Sequence, residues 1–137
     1  MRVVLDTNVL LSSLLNSAGI PGALVDAWRD GRYVLLSHEL QFGELRSVTR
    51  RDYLRSRIRP AQAGKLVNQI RKKAEIVVRL ANVHRSSDPS DDFLLALCEA
   101  GHADFLVTGD KAGLLALGTH GGTTILTARA FLDRLGR

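Results

Sequence analysis

Acidic residues recur close to the ends of segments that are predicted to be strands. Asp6 ends the apolar run 3–5, and Asp110 follows the run 105–108 by one residue. Glu44 lies two turns into the helix predicted after the second strand. Because the carboxyl ends of parallel strands share one edge of a sheet, these three carboxylates should converge if the first strand lies between the second and the fourth.

A further acidic pair begins the helix that leads into the fourth strand. Asp91 and Asp92 would bring another carboxylate to the same edge of the sheet. The alternative is helix capping, since Asp88 fits an N-cap position with Pro89 at the first helical position. Capping explains Asp88 but not why the acids continue, so we assign a metal-binding role to Asp91 or Asp92.

Three or four carboxylates at one place repel each other unless cations balance them. Carboxylate oxygens suit Mg²⁺ or Mn²⁺, and such ions support the hydrolysis of phosphodiester bonds without a protein nucleophile. The sequence shows no convincing Ser-His-Asp or Cys-His arrangement, and the only cysteine, Cys98, lies in an apolar run typical of a buried side chain. The acids therefore favour metal-assisted hydrolysis.

Positive charge is concentrated in one part of the chain. The net charge is +5, yet the stretch 46–85 alone contains twelve Lys or Arg and two acidic residues, so the remainder is net negative. A solvated helical surface is the ordinary explanation for any single one of these residues. The concentration as a whole favours a polyanionic substrate or partner, because the arginine fork matches phosphate oxygens.

The periodicity of apolar residues predicts a single α/β domain over residues 1–137. It is expected to form a three-layer α/β/α sandwich around a central, mainly parallel five-stranded sheet, with a basic helical hairpin at about 46–75. Ser37 is predicted to cap the helix that carries Glu44. The run 75–80 is predicted as the third strand on its β-branched residues. The predicted strands are 2–5, 33–36, 75–80, 105–108 and 123–126.

With neither a basic leader nor an apolar stretch of about 20 residues, we expect a cytoplasmic protein that spans no membrane.

Four motifs together resemble the PIN domain over essentially the whole chain. Val3-Val4-Leu5-Asp6-Thr7-Asn8 resembles the opening strand and acid of that family, and the segment 36–46 resembles the helix with the second acid. Asp88-Pro89-Ser90-Asp91-Asp92-Phe93-Leu94 resembles the third acidic motif, and Phe105-Leu106-Val107-Thr108-Gly109-Asp110 the fourth. Each motif is weak alone, but four in the correct order are specific. The likeness is greatest to the branch of toxins from bacterial toxin-antitoxin modules.

The resemblance implies a sheet order of 3-2-1-4-5 and an Mg²⁺- or Mn²⁺-dependent ribonuclease that cleaves single-stranded RNA. It also implies a homodimer and a cognate antitoxin protein as partner. The acids expected to be catalytic and to bind metal are Asp6, Glu44, Asp91 and Asp110, with Asp92 as the alternative to Asp91. Asn8 and Thr108 would orient the first acid or the attacking water, or else make local turn bonds. The expected RNA contacts are Arg46, Arg50, Arg51 and Arg55.

Three other classes of protein remain as alternatives. A haloacid-dehalogenase-like phosphatase needs a second aspartate two residues after the first, where this chain has Asn8. A phosphoacceptor receiver domain should carry an acidic pair before its phosphoacceptor strand, whereas a single acid ends strand one here. A catalytically silent PIN-like module would bind RNA or a protein through its basic hairpin, but such modules usually lose acids, and none is missing here.

Overall fold

A six-stranded sheet forms the centre of the protein. The computed structural model describes residues 1–51, 54, 56–109 and 112–136. Among these residues the strands follow the order β3-β2-β1-β4-β6-β5, and every pairing is parallel except the antiparallel pair β5 and β6. The strands are β1 (Arg2–Leu5), β2 (Val34–Ser37), β3 (Glu75–Ile76), β4 (Phe105–Val107), β5 (Thr119–His120) and β6 (Thr123–Leu126).

Helices cover both faces of this sheet. Because side chains alternate along a strand, Val3 and Leu5 of β1 belong to one apolar cluster, whereas Val4 belongs to another on the opposite face. The first cluster includes residues of α1 to α4 and α7, and the second includes residues of α5 and α6. The predicted three-layer α/β/α sandwich is therefore confirmed. Over the described residues the helices are α1 (Thr7–Leu15), α2 (Ile20–Arg29), α3 (Glu39–Thr49), α4 (Pro60–Lys73), α5 (Pro89–Gly101), α6 (Leu114–Leu117) and α7 (Ala128–Leu135).

The predicted order of the parallel strands is correct, but the predicted number of strands is not. The fifth predicted strand is β6, and the additional β5 forms a short edge strand beside it. Gly121 and Gly122 connect the two strands, and Gly121 has a φ of 56°. A two-residue connection of this kind favours a β-hairpin, because glycine adopts positive φ without steric cost.

Two further predictions need correction. β3 contains only two residues instead of 75–80, because β2 ends at Ser37 and leaves no strand beyond it to pair with. Val77 still donates its backbone N–H to the Ser37 carbonyl, but Val78 is 82% exposed. Ser37 does not cap α3, since it is the buried last residue of β2. His38 is the N-cap, and its Nδ1 accepts the Leu40 N–H at 3.0 Å.

Helix α5 begins as its sequence predicts. Asp88 is the N-cap, its Oδ1 accepts the Ser90 N–H at 2.8 Å, and Pro89 occupies the first turn.

Across the described ranges, no single helix has the length and apolar character needed to cross a membrane. Only α1 and α2 taken together, with a bend of 102° between them, have sufficient length and apolar composition.

Candidate active site

Asp6 occupies the junction between the central strand β1 and helix α1. Its backbone N–H continues the ladder to β4 by donating to the Val107 carbonyl at 2.9 Å. Asp6 is 8% exposed, and its carboxylate accepts hydrogen bonds from the Asn8 N–H at 3.1 Å and from the Thr108 hydroxyl at 2.7 Å. The strand end and the helix start therefore fix the position of this carboxylate at the carboxyl edge of the sheet.

Glu44 is brought to the same edge by α3, and a buried glutamine anchors that helix. Gln41 is 1% exposed; its Nε2 donates to the Leu5 carbonyl at 2.7 Å, and its Oε1 accepts the Ser37 hydroxyl at 2.6 Å. Gln41 thus ties the first turn of α3 to the ends of β1 and β2. Glu44 lies one turn further along the helix, half-buried beside Thr7.

The first turn of α5 separates the two adjacent aspartates. Asp91 is 8% exposed, and its Oδ2 accepts the Ser86 hydroxyl at 3.4 Å. Asp92 points to the preceding loop instead, where its Oδ1 accepts the backbone N–H groups of Arg85 at 3.0 Å and Ser86 at 2.8 Å. Since neighbouring residues of a helix point in different directions, only Asp91 faces the acids on the other elements.

Asp6, Glu44 and Asp91 line one open cleft of about 490 Å³ at the carboxyl edge of the sheet. Thr108 is fully buried beneath it and contacts Asp6, and Asp92 does not line it. Asp110 lies outside the described residues, so the structure does not locate this predicted ligand. The cleft is lined by Asp6, Asn8, Glu44, Asp88, Ser90, Asp91, Leu94 and Gly109.

Burial and neighbouring charges perturb the pKa of Glu44 in this cleft. Burial raises the pKa of Glu44, and the negative charges of Asp6 and Asp88 raise it further. A hydrogen bond with the Thr7 hydroxyl and the positive charge of Arg51 act in the opposite direction. The pKa of Asp92 is lowered, mainly because its carboxylate accepts the Ser86 N–H. Burial and neighbouring carboxylates therefore disfavour the ionised form of Glu44, whereas Asp92 belongs to a structural contact.

The donor set of the cleft fits a hydrated hard cation. Its polar side chains present carboxylate, amide and hydroxyl oxygens, the ligand types that Mg²⁺ and Mn²⁺ prefer. Within the described residues, no three His, Cys, Asp or Glu side chains come close enough to hold a metal ion as a group. Mg²⁺ commonly retains several waters and binds to only one or two carboxylates, so this open arrangement suits it better than a closed cage would.

Comparison with known protein families identifies the family to which this chain belongs. A family model described as the PIN domain matches residues 2–112, from β1 through the Asp110 motif. The chain belongs to the PIN-domain family. PIN domains are generally nucleases that depend on divalent metal ions. Comparison with curated proteins gives no significant match.

Of the predicted RNA contacts of this PIN domain, only Arg51 is shown by the described residues to lie near the acidic cleft. Arg46 and Arg50 line a second cleft between α3 and α4. Arg51 is exposed and lies close enough to Glu44 to influence its pKa. Arg55 lies outside the described residues.

Sequence reasoning missed two residues that position the acids. In the sequence, Gln41 is marked only by its place in an amphipathic helix. It is a polar residue on the buried face, three positions before Glu44, and such a position indicates a buried hydrogen bond. Ser86 lies in a polar loop and bonds both to Asp91 and to the Asp88 backbone N–H, the latter at 3.1 Å. The sequence feature that could have indicated this role is the position of Ser86 just before a helix that begins with acidic residues.

Proposed function

We propose that this PIN domain is an Mg²⁺- or Mn²⁺-dependent ribonuclease that hydrolyses phosphodiester bonds of single-stranded RNA. The observation that carries the proposal is the meeting of Asp6, Glu44 and Asp91 in one cleft, although they lie on three separate elements. The raised pKa of Glu44, caused first by burial and then by the negative charges of Asp6 and Asp88, agrees with carboxylates gathered at this edge of the sheet.

The side chains of the cleft have distinct roles in this proposal. Asp6, Glu44 and Asp91 would hold the divalent ions, with Asp110 as a further acid from the strand-four motif. When bound, such ions lower the pKa of an attacking water and neutralise charge on the phosphate. Thr108 keeps the Asp6 carboxylate in one orientation, and the Ser86 hydroxyl does the same for Asp91. Asn8, exposed at the rim of the cleft, is placed to contact the phosphate or the water.

The RNA strand would approach over the basic side of the cleft. Arg46, Arg50, Arg51 and Arg55 belong to the segment in which α3 ends, and the described members of this set are exposed. Their charge offsets the negative potential that the acids would otherwise present to a polyanion. The basic residues contribute binding, and the acids contribute the reaction.

The physiological setting is a finer part of the proposal. The motifs resemble the toxin branch of the family, which supports a role as the toxin of a toxin-antitoxin module. In that role the protein would act in the cytoplasm as a homodimer, and a cognate antitoxin protein would cover the acidic cleft. Inspection of the neighbouring reading frame, followed by co-expression and co-purification of its product, tests this part separately from the chemistry.

A cleavage assay tests the proposed activity. Purified protein is incubated with end-labelled single-stranded RNA in Mg²⁺, in Mn²⁺ and in EDTA. We expect cleavage only with a divalent ion, and we expect Asp6→Asn, Glu44→Gln and Asp91→Asn each to abolish it. Asp30→Asn is the matched control, because Asp30 is exposed near the start of β2, at the opposite edge of the sheet.

The outcomes separate the nuclease from a silent module. Glu44→Gln should fold at least as well as the wild type, since it removes charge repulsion, and Asp6→Asn and Asp91→Asn should remain folded. RNA binding without cleavage under any metal condition would favour the module. Full activity in two of the three variants would exclude this cleft as the active site.

A further inference from the structure

A second cleft lies between the end of α3 and the start of α4. It has a volume of about 520 Å³, within the range of small-molecule pockets. Arg46, Thr49 and Arg50 form its α3 side. Its α4 side consists of the small or compact residues Pro60, Ala63 and Gly64. The cleft therefore carries its charge on one wall.

The two arginines of this cleft are available for an external anion. Arg46 and Arg50 are exposed and form no ion pair with any residue that the structure describes. Arg71 of α4 differs, since it pairs with Glu39 at 2.8 Å and lies over the Phe42 ring. No acidic side chain among the described residues lines the cleft, and the first turn of α4 contains none. The cleft thus concentrates positive charge.

The cleft is connected to the acidic cleft through α3. Arg50 follows Glu44 by six residues, which corresponds to about 9 Å along a helix axis. Arg51, next in the chain, has a charge that lowers the pKa of Glu44. Residues of a helix follow one another at about 100° around its axis, so Arg46 and Arg50 project from α3 roughly 120–160° away from Glu44, on the other flank of the helix. An RNA strand that reaches from the acidic cleft to the second cleft would therefore cross the exposed side of α3, past Arg51.

We propose that this second cleft is a subsite for a backbone phosphate of the RNA strand, reached across α3 from the bond that is cut. The proposal rests on the proposed nuclease function, which it extends by assigning the path of one flank of the substrate. Two guanidinium groups provide the planar donors that match phosphate oxygens. The small residues on α4 leave room for the phosphate and its ribose.

Neutral linkages in the RNA test this subsite directly. A short single-stranded RNA is prepared in versions that each carry one uncharged methylphosphonate linkage at a different distance from the cleavage position. With wild-type protein, one particular position should weaken binding by about ten-fold, as expected for loss of charge-assisted hydrogen bonds. With Arg46→Gln/Arg50→Gln, the same replacement should change binding by less than about two-fold, because the two partners are coupled.

A matched variant controls for general charge. Arg57→Gln removes an exposed arginine from the same basic stretch that does not line the cleft. It should lower the overall affinity slightly but preserve the ten-fold effect of the critical linkage. Equal sensitivity to that linkage in the wild type and in the Arg46/Arg50 double variant would overturn the proposal.

Gly64 offers an independent test that leaves both arginines intact. A Cβ atom at this position would meet nothing within 4 Å, so a side chain can be added without a clash. Gly64→Glu should bind RNA about ten-fold more weakly than the isosteric Gly64→Gln, because its carboxylate would lie where the phosphate binds. Equal affinity of the two variants would count against the subsite.

The failure of this inference can be distinguished from the failure of the nuclease assignment. Binding is measured by fluorescence anisotropy with the Asp6→Asn variant, and cleavage is measured with Asp6 intact. Normal cleavage without any position-specific linkage effect would refute the subsite alone. A position-specific effect on binding, without cleavage in any divalent ion, would support the subsite and refute the nuclease.

Discussion

Thr108 provides a sharp test of how the site is held together. Its side chain is fully buried, and its hydroxyl donates to Asp6 Oδ2 at 2.7 Å across the junction of β1 and β4. Thr108→Val replaces the hydroxyl by a methyl group of similar size, so that the carboxylate loses this donor while the packing is nearly preserved. Thr108→Ser, which keeps the hydroxyl, is the matched control.

The expected cost follows from the type of bond that is lost. A hydrogen bond to a charged group contributes about 1.5–3 kcal/mol to the free energy of unfolding. We therefore expect Thr108→Val to lower this free energy by about 2 kcal/mol at neutral pH. Removing a partner that orients a metal ligand typically costs about 10- to 100-fold in metal affinity or activity. Cleavage at limiting Mn²⁺ should fall by that factor and recover partly at high Mn²⁺.

Urea unfolding monitored by circular dichroism and cleavage rates across a Mn²⁺ series measure the two effects. Thr108→Ser should stay within about 1 kcal/mol of the wild type, the amount expected for loss of one methyl group, and retain most of the activity. Unchanged Mn²⁺ dependence in Thr108→Val would refute the reasoning that this hydroxyl orients Asp6. An equal loss in both variants would show that packing, and not the hydrogen bond, accounts for the effect.

Three further predictions concern the residues around Asp6. Glu44→Gln should leave the free energy of unfolding unchanged below the ordinary glutamate pKa, and should make it higher than that of the wild type as pH increases. The reason is that the pKa of Glu44 is raised in the folded state, so its ionised form opposes folding. Urea titrations at pH 4 and 8 measure this, and a difference between variant and wild type that does not depend on pH would contradict it. Gln41→Leu should lower the free energy of unfolding in urea by about 2–4 kcal/mol, since it leaves buried groups at the strand ends without hydrogen-bond partners. A decrease below about 0.5 kcal/mol would contradict the anchoring role of Gln41. Asp92→Asn should reduce RNA cleavage by less than about ten-fold, below the range for a residue that orients a metal ligand, whereas Asp91→Asn should abolish cleavage. The reverse ranking would make Asp92 the ligand.

The central part of the fold could be predicted from local patterns. The apolar runs around residues 3–5 and 105–107 are short, continuous and followed by polar residues, as expected for buried parallel strands. Once β1 is placed between β2 and β4, the position of Asp6 follows. The edges were less predictable because they depend on pairing partners. β3 stops where β2 stops, and β5 exists because a Gly-Gly turn folds it against β6.

The acidic pair at the start of α5 shows what the sequence could not determine. Asp91 and Asp92 are adjacent and chemically identical, so composition and spacing favour neither. The structure separates them through the loop before the helix, whose backbone N–H groups at Arg85 and Ser86 take up the Asp92 carboxylate. Such a contact depends on the loop conformation, which single-residue propensities do not specify.

The account depends most on Asp6, Glu44 and Asp91 each helping to bind divalent ions in one cleft. Calorimetric titration of the RNA-free protein with Mn²⁺ at neutral pH measures this directly. We predict saturable binding that each of Asp6→Asn, Glu44→Gln and Asp91→Asn weakens by at least about ten-fold, in line with loss of a ligand, while Asp30→Asn binds like the wild type. Equal Mn²⁺ affinity in all five proteins would contradict the account.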